Sequence, residues 1–308
     1  MISTQRLSFA LRERIARLVI RLSQPDLGAA QREEFAENAF RDDKLTHAAL
    51  HHVLVEDCGA PVTIFAFASS ALLFAAQPTF EFRGLLQPKQ GVCNLVFLRD
   101  PYRTAYHVTP NGAPHGLAFY EEEVRRLMQS LGGKVHIAIG DSSGGAAALY
   151  FGTRCGMDRI IAFNVPFPIS FWTSPGAYWH ALTNLRLLRR SRYEYWEVCF
   201  LTFTTTIVRL QLWATAGRNG TMNPLATYLS TAERPQATLF YGQDCGPDAA
   251  IAAQFATAPE ARLVPLPTAL HNCAVCLAKR GQLRQVIENE IAEAMRQPGT
   301  GPSAFNAE

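Results

Sequence analysis

The chain has 308 residues, of which 48% are hydrophobic and 18% are charged, so it can bury the core of one large α/β domain or two small ones. Its formal net charge of +3 is too small to favour nucleic acid as a partner. No secretory signal or bilayer-spanning apolar run is recognisable, and seven scattered cysteines are typical of reduced thiols. These features predict a cytoplasmic globular protein without a transmembrane segment and leave its oligomeric state open.

Two classes of element follow one another along the chain. Residues 1–50 are predicted to form a helical extension, because basic and apolar positions alternate there with helical spacing. From residue 51 onward, short apolar runs alternate with helical stretches, which predicts a mostly parallel sheet with helices on both faces. The predicted strands cover residues 53–55, 62–67, 92–98, 135–139, 160–163, 238–241 and 262–264, and the predicted helices cover 116–131, 144–152, 248–257 and 277–296.

The most informative motif follows the fourth predicted strand, where the chain reads Gly140-Asp141-Ser142-Ser143-Gly144 and continues into a helix of small residues. A serine at a sharp strand-to-helix turn carries its hydroxyl out of the sheet. The positive end of the helix favours a negative charge beside it, such as a tetrahedral oxyanion. Side chains at Gly140 and Gly144 would strike the neighbouring strand or helix. In this context the chain resembles the α/β-hydrolase superfamily over residues 50–290, and Ser142 takes the nucleophile position.

The resemblance implies a catalytic triad in the chain order serine, acid, histidine, with no cofactor. The histidines after Ser142 are His180 and His271, and His271 stands where the superfamily keeps its base, after a strand and before the terminal helix. The acid is Asp244 or Asp248, which both follow the strand 238–241. We favour Asp244, which is nearer the usual family spacing, and expect Asp248 at a helix N-cap.

The resemblance also implies an oxyanion hole made of two backbone amides. One belongs to Ser143, and the other to Ala68 or Ser69 in the loop after the second predicted strand. Arg99 and Asp100 begin an R-D-P turn similar to one in a bacterial branch of these hydrolases. They either pair and brace the loops around the site or form a plain turn at the strand end.

The segment 167–234 does not fit the alternation of strands and helices. In the resembled superfamily this position often carries a helical lid, so we predict a lid within a hydrolase domain of residues 51–297, followed by a disordered tail at 298–308. The aromatic residues of the segment either line an acyl pocket or pack, and its basic cluster is expected to be a solvated helix face. These residues are Trp172, Trp179, Trp196, Trp213, Arg186, Arg189, Arg190 and Arg192.

A histidine beside a C-x-x-C pair, His271 with Cys273 and Cys276, offers three metal ligands. The second C-x-x-C pair of a structural zinc site is missing, and so is the glutamate of the zinc deaminase signature. The sequence therefore predicts no metal site, and it predicts buried thiols at these cysteines.

Together these features predict a serine hydrolase that cleaves a small-molecule ester or thioester through an acyl-enzyme. Two alternatives stay open. One is an acyltransferase on the same fold, which shares the acyl-enzyme and differs in the acceptor. The other is a catalytically inactive hydrolase-fold protein that acts as a binding or scaffold partner. Labelling of Ser142 by a fluorophosphonate probe would separate an enzyme from the scaffold.

Overall fold

The computed structural model describes residues 51–70, 80–102, 104–166, 183, 185–192, 195, 199 and 221–296. The predicted N-terminal extension and tail lie outside the described residues, as does most of the predicted lid. The domain boundaries and the lid therefore remain predictions.

The described strands form one sheet. They are β1 (Val53–Glu56), β2 (Val62–Phe67), β3 (Asn94–Leu98), β4 (Val135–Asp141), β5 (Arg159–Phe163), β6 (Gln236–Gly242) and β7 (Ala261–Leu266). Their order across the sheet is β1-β3-β2-β4-β5-β6-β7. Only β1 runs antiparallel to its neighbour, and all the other described pairs are parallel. The mostly parallel sheet is confirmed, and each predicted strand is present within a few residues of its predicted ends.

The described helices include those predicted at 116–131 and 144–152, and the helix predicted at 248–257 begins and ends earlier. The described helices are α1 (Arg83–Leu86), α2 (Gly116–Leu131), α3 (Ser143–Arg154), α4 (Leu185–Arg190), α5 (Pro224–Ser230), α6 (Gly246–Ala253), α7 (Ala274–Lys279) and α8 (Leu283–Arg296). The single helix predicted at 277–296 is wrong in one respect. The chain turns at Gly281 and divides it into α7 and α8. No helix among the described residues is long and apolar enough to cross a membrane.

Both faces of the sheet are covered, as the continuous apolar strands predicted. Phe65 and Phe67 of β2 point to one face, where they pack with side chains of α2, α3 and α5. Ile64 and Ala66 point to the other face, which α1, α7 and α8 cover. Alternate residues of a strand lie on opposite faces, so a strand that is buried on both must be apolar throughout.

The parallel strands set the place of the site. Strands β2, β4, β6 and β7 run in the same direction, so the loops after them meet at one edge of the sheet. The loops that follow these four strands supply the side chains described below.

Candidate active site

The serine of G-x-S-x-G lies in a strained turn between β4 and α3. Ser142 has φ 53° and ψ −123°, a backbone conformation that residues other than glycine rarely adopt and that costs about 1–3 kcal/mol. Two hydrogen bonds hold it. The Ser142 amide donates to the Phe163 carbonyl at 2.9 Å, and the Ala146 amide donates to the Ser142 carbonyl at 2.9 Å. The turn thus presents the hydroxyl at the beginning of a helix, as predicted.

The glycines of the motif are required by close backbone contacts. A Cβ atom on Gly140 would lie 2.1 Å from the Gly144 carbonyl oxygen, and one on Gly144 would lie 2.2 Å from the Phe67 carbonyl oxygen. Both distances are far inside van der Waals contact, so the prediction that these positions exclude side chains is confirmed. The glycines allow α3 to begin directly against β2 and β4.

His271 reaches the serine from the loop after β7. Its Nε2 lies 2.8 Å from the Ser142 Oγ. This loop packs closely on the end of β6, where a Cβ on Gly242 would lie 2.8 Å from the Thr268 carbonyl oxygen and 2.9 Å from the Leu270 carbonyl oxygen. The structure therefore brings together the two side chains that the sequence paired across 129 residues. The other candidate histidine, His180, lies outside the described residues.

Asp248 holds the far side of the histidine ring. Both of its carboxylate oxygens lie 3.0 Å from the His271 Nδ1, and both side chains are buried, with 4% and 3% of their surface exposed. A carboxylate only accepts hydrogen bonds, so Nδ1 carries the proton and donates it to Asp248. The Nε2 lone pair then faces the Ser142 hydroxyl, which is the arrangement a general base needs.

The preference for Asp244 is wrong, because the structure brings Asp248 to His271 instead. The side chain of Asp244 points outward and pairs with Arg190, with the two nitrogens of the guanidinium each 3.2 Å from one carboxylate oxygen. The chain turns back after Gly242, and Cys245 is fully buried at the N-cap of α6. That turn places Asp248 inside the first turn of α6 and against the histidine, so its expected N-cap position is also corrected.

The backbone amides of the loop after β2 donate to other acceptors than an oxyanion hole would require. The Ala68 amide donates to the Leu98 carbonyl at 2.8 Å and so continues the sheet, which corrects Ala68 as an oxyanion donor. The Ser69 amide donates to a carboxylate oxygen of Glu81 at 3.0 Å. The Ser70 amide donates to the Ser143 Oγ at 2.6 Å. Each described amide of this loop therefore has an acceptor within the protein.

Ser143 begins α3, so its amide belongs to the first turn of the helix, where backbone donors lack partners within the helix. Its side chain contacts Ser70, with 2.8 Å between the two hydroxyl oxygens, and both residues are buried. This contact ties the loop after β2 to the beginning of the helix that follows the serine. The predicted role of the Ser143 amide is compatible with this geometry.

Two acids of the site, Asp141 and Glu81, were not predicted from the sequence. Burial raises the pKa of Glu81 to about 7, with a further rise from the charge of Asp141 and an opposite effect from its hydrogen bonds to Ser69. Burial also raises the pKa of Asp141 to about 6, although His271 and the Asn164 amide group lower it in part. The sequence could have predicted that Asp141 lies near the serine, because it directly precedes Ser142 in the motif. No sequence pattern marked Glu81.

Asp100 braces the loop after β3, but without the pairing with Arg99 that one interpretation of the R-D-P turn predicted. Its buried carboxylate accepts hydrogen bonds from the amides of Tyr102, Thr104 and Tyr106. Arg99 takes no part in this arrangement, because its guanidinium lies over the ring of Phe80, 4.3 Å from the ring centre.

The remaining sequence candidates are the cysteines after His271, the arginine cluster and the four tryptophans. Within the part of the chain that the structure describes, no group of three or more histidine, cysteine and acidic side chains could hold a metal ion. Burial raises the pKa of the Cys273 thiol well above its usual range, as expected for a buried structural cysteine. The predicted solvated face is confirmed for the three arginines of α4 and the arginine that follows the helix, because all four side chains are exposed. They are Arg186, Arg189, Arg190 and Arg192. The four tryptophans lie outside the described residues.

No family model matches the sequence, and no curated protein matches it. Solved structures resemble its fold at low identity. A carboxylesterase of the Thaumarchaeon Nitrososphaera gargenis shares 14% identity and a TM-score of 0.49, over 79% of this chain and 95% of that one. An alpha/beta hydrolase of Sphaerobacter thermophilus shares 14% identity and a TM-score of 0.44, over 78% and 96%. The capsule O-acetyltransferase of Neisseria meningitidis serogroup A shares 14% identity and a TM-score of 0.46, over 77% and 91%.

The sheet order, the strained turn at Ser142 and the chain order of Ser142, Asp248 and His271 decide the fold class. This is an α/β-hydrolase fold. In α/β hydrolases the serine stands at the top of the sheet, on a turn between a strand and a helix, and the acid and histidine come later in the chain. The predicted superfamily resemblance is therefore confirmed at the level of the fold.

Proposed function

We propose that this protein is a serine hydrolase that cleaves a small-molecule ester or thioester through an acyl-enzyme on Ser142. One observation carries the proposal. The Ser142 hydroxyl is 2.8 Å from the His271 Nε2, and the His271 Nδ1 is 3.0 Å from both oxygens of Asp248. A hydroxyl, an imidazole and a buried carboxylate in this sequence of contacts are the parts of an acyl-transfer site.

The first half of the reaction forms the acyl-enzyme. Nε2 of His271 takes the hydroxyl proton while the Ser142 Oγ bonds to the carbonyl carbon of the substrate. The imidazolium that results is stabilised by Asp248, which accepts the Nδ1 proton in a hydrogen bond. When the tetrahedral intermediate collapses, the bond to the alcohol or thiol breaks, and the leaving group takes the proton from Nε2.

The second half regenerates the enzyme. Nε2 removes a proton from a water molecule as the water oxygen bonds to the acyl carbon, and the bond to Oγ then breaks. The acyl group leaves as a carboxylic acid, and the proton on Nε2 returns to the Ser142 Oγ. Each step uses the same hydrogen bond between the serine and the histidine, so a separation of these two side chains would stop both halves.

The negative oxygen of each tetrahedral intermediate needs donors that are already in place. The Ser143 amide at the beginning of α3 is one such donor, and the field of the helix adds to it. A single oxyanion donor elsewhere contributes about 3–4 kcal/mol to lowering the barrier. The second donor is proposed to be the Ser69 amide.

A fluorophosphonate probe tests the proposal directly, because it phosphonylates an activated serine without any knowledge of the natural substrate. The parent protein should gain one adduct, which mass spectrometry should locate on Ser142, and it should hydrolyse a 4-nitrophenyl acyl ester. Ser142→Ala should lose both activities and keep the circular dichroism spectrum of the parent. A folded parent protein that stays unlabelled would refute the enzyme and favour a binding or scaffold protein.

Hydrolysis and acyl transfer share the acyl-enzyme, so labelling does not separate them. Product analysis with a thioester donor does, in the absence and presence of alcohol or sugar acceptors. A hydrolase releases the free acid at the same rate in both conditions. Ester product that forms at the expense of the free acid would identify an acyltransferase instead.

A further inference from the structure

Glu81 accepts a hydrogen bond from the amide that the proposed function assigns to the substrate carbonyl. Its Oε2 accepts the Ser69 amide at 3.0 Å, and its Oε1 accepts the Ser69 hydroxyl. The carboxylate thus accepts from both the amide and the hydroxyl of Ser69, the residue whose amide is the second oxyanion donor in the proposed function. A carboxylate is a stronger acceptor than an ester carbonyl, so it competes effectively for that amide.

The chain around Glu81 is built against the serine turn. The Phe82 ring packs on the Phe163 ring, with 6.3 Å between their centres, and the carbonyl of Phe163 anchors the Ser142 amide. Phe82 also has a positive φ of 64°, which is strained for a bulky residue. The segment 80–82 therefore lies at the same edge of the sheet as the reactive hydroxyl.

No other described amide of the loop offers itself as the second donor. The Ala68 amide is part of the sheet, and the Ser70 amide donates to Ser143. Among the described amides of this loop, the Ser69 amide alone donates to a long, flexible side chain, and such an acceptor can move away. On the basis of the proposed function, we propose that the Glu81 carboxyl competes with the substrate for the Ser69 amide, so that Glu81 is a positioning residue that controls the oxyanion hole.

The competition depends on the charge of Glu81. The ionised carboxylate holds the amide strongly, and the protonated acid holds it weakly, because it is neutral. Burial raises the pKa of Glu81 to about 7, and the charge of Asp141 at the end of β4 adds to the rise. Tyr106 in the loop after β3 is the other titratable group nearby, and burial raises its pKa well above its usual range, so the phenol stays neutral. The nearest cation on the Glu81 segment, Arg83, pairs with Glu56 at 3.2 Å.

The test is the rate of Ser142 phosphonylation by a fluorophosphonate, measured from pH 6 to pH 9 in the parent protein and in Glu81→Gln. The informative quantity is the ratio of the two rates, because any loss of reactivity that the two proteins share at acidic pH cancels in it. With a pKa of about 7, the ionised form of Glu81 exceeds the protonated form about tenfold at pH 8. The ratio of variant to parent should therefore rise from about one at pH 6 to about ten at pH 8.

Two further variants make the outcome decisive. Glu81→Ala removes the acceptor altogether and should raise the ratio at least as much as Glu81→Gln, which covers the case in which one of them folds poorly. Glu122→Gln removes one exposed carboxylate from α2, and its ratio should stay near one at every pH. A purely structural Glu81 would give a ratio below one at all pH values and would overturn the proposal.

The failure of this inference differs from the failure of the proposed function. A flat ratio in proteins that label on Ser142 refutes the competition and leaves the serine hydrolase standing. The absence of any label on Ser142 refutes both.

Discussion

The assignment of the acid leads to a prediction that separates two carboxylates only four positions apart in the chain. Asp248→Asn keeps the size of the buried side chain and presents an amide group to the His271 Nδ1. The amide group donates, so the ring proton moves to Nε2, which then donates toward Ser142 instead of accepting its proton. In a serine protease the same change lowers kcat about 10⁴-fold. We expect a loss of about 10³- to 10⁴-fold, or about 4–5 kcal/mol, because both Asp248 oxygens contact the histidine in a buried site.

Asp244→Asn is the matched control for this prediction. Its ion pair with Arg190 is exposed, with 41% and 55% of the two side chains accessible, so it contributes about 0–1 kcal/mol. The rate should change by no more than about fivefold. Both variants are compared in ester hydrolysis and in phosphonylation of Ser142. Equal losses in the two variants, or a larger loss in Asp244→Asn, would refute the assignment of Asp248 and the tautomer argument with it.

Two other predictions concern stability. Gly144→Ala places a Cβ atom 2.2 Å from the Phe67 carbonyl oxygen, so it should lower the free energy of unfolding, measured by urea titration, by about 2–4 kcal/mol. Gly246→Ala is the control, because no atom lies within 4 Å of the added Cβ, and it should change this free energy by less than about 1 kcal/mol. Burial lowers the pKa of His107, whose Nε2 accepts a hydrogen bond from the Met222 amide at 2.8 Å. Below pH 6.5 this histidine therefore binds a proton more readily in the unfolded chain than in the folded protein. The parent should lose up to about 1.4 kcal/mol of stability for each pH unit in that range. His107→Gln should show a shallower loss between pH 6.5 and pH 5 in the same titration, and equal slopes in the two proteins would contradict this role.

Much of the fold was predictable from short stretches of sequence. The buried strands are continuous apolar runs, and α2 covers the residues that its pattern predicted. The turn at Ser142 was predictable because three features occur together there: an apolar strand, two glycines at fixed spacing and a helix of small residues. The break between α7 and α8 was missed, although the sequence holds a signal for it, since Gly281 has a positive φ of 67° and glycine commonly follows the end of a helix.

The site was predictable only in part. His271 followed from the order of elements along the chain. The choice between Asp244 and Asp248 did not, because it depends on the turn from Gly242 to Cys245 before α6, which family spacing does not encode. The donors of the loop after β2 were also mistaken in one case, since an amide leaves no signature in the sequence and its partner, such as the Leu98 carbonyl, belongs to another strand.

The sequence by itself determined the local events: which segments become strands and helices, where a glycine must stand, and which serine is strained. Each of these depends on residues that are neighbours in the chain, and periodicity and spacing record them. Only the tertiary structure decided which carboxylate meets the imidazole, that the Ala68 amide continues the sheet and that Glu81 lies beside Ser69. Such contacts join residues on separate loops, whose paths are set by packing on the sheet rather than by any local pattern.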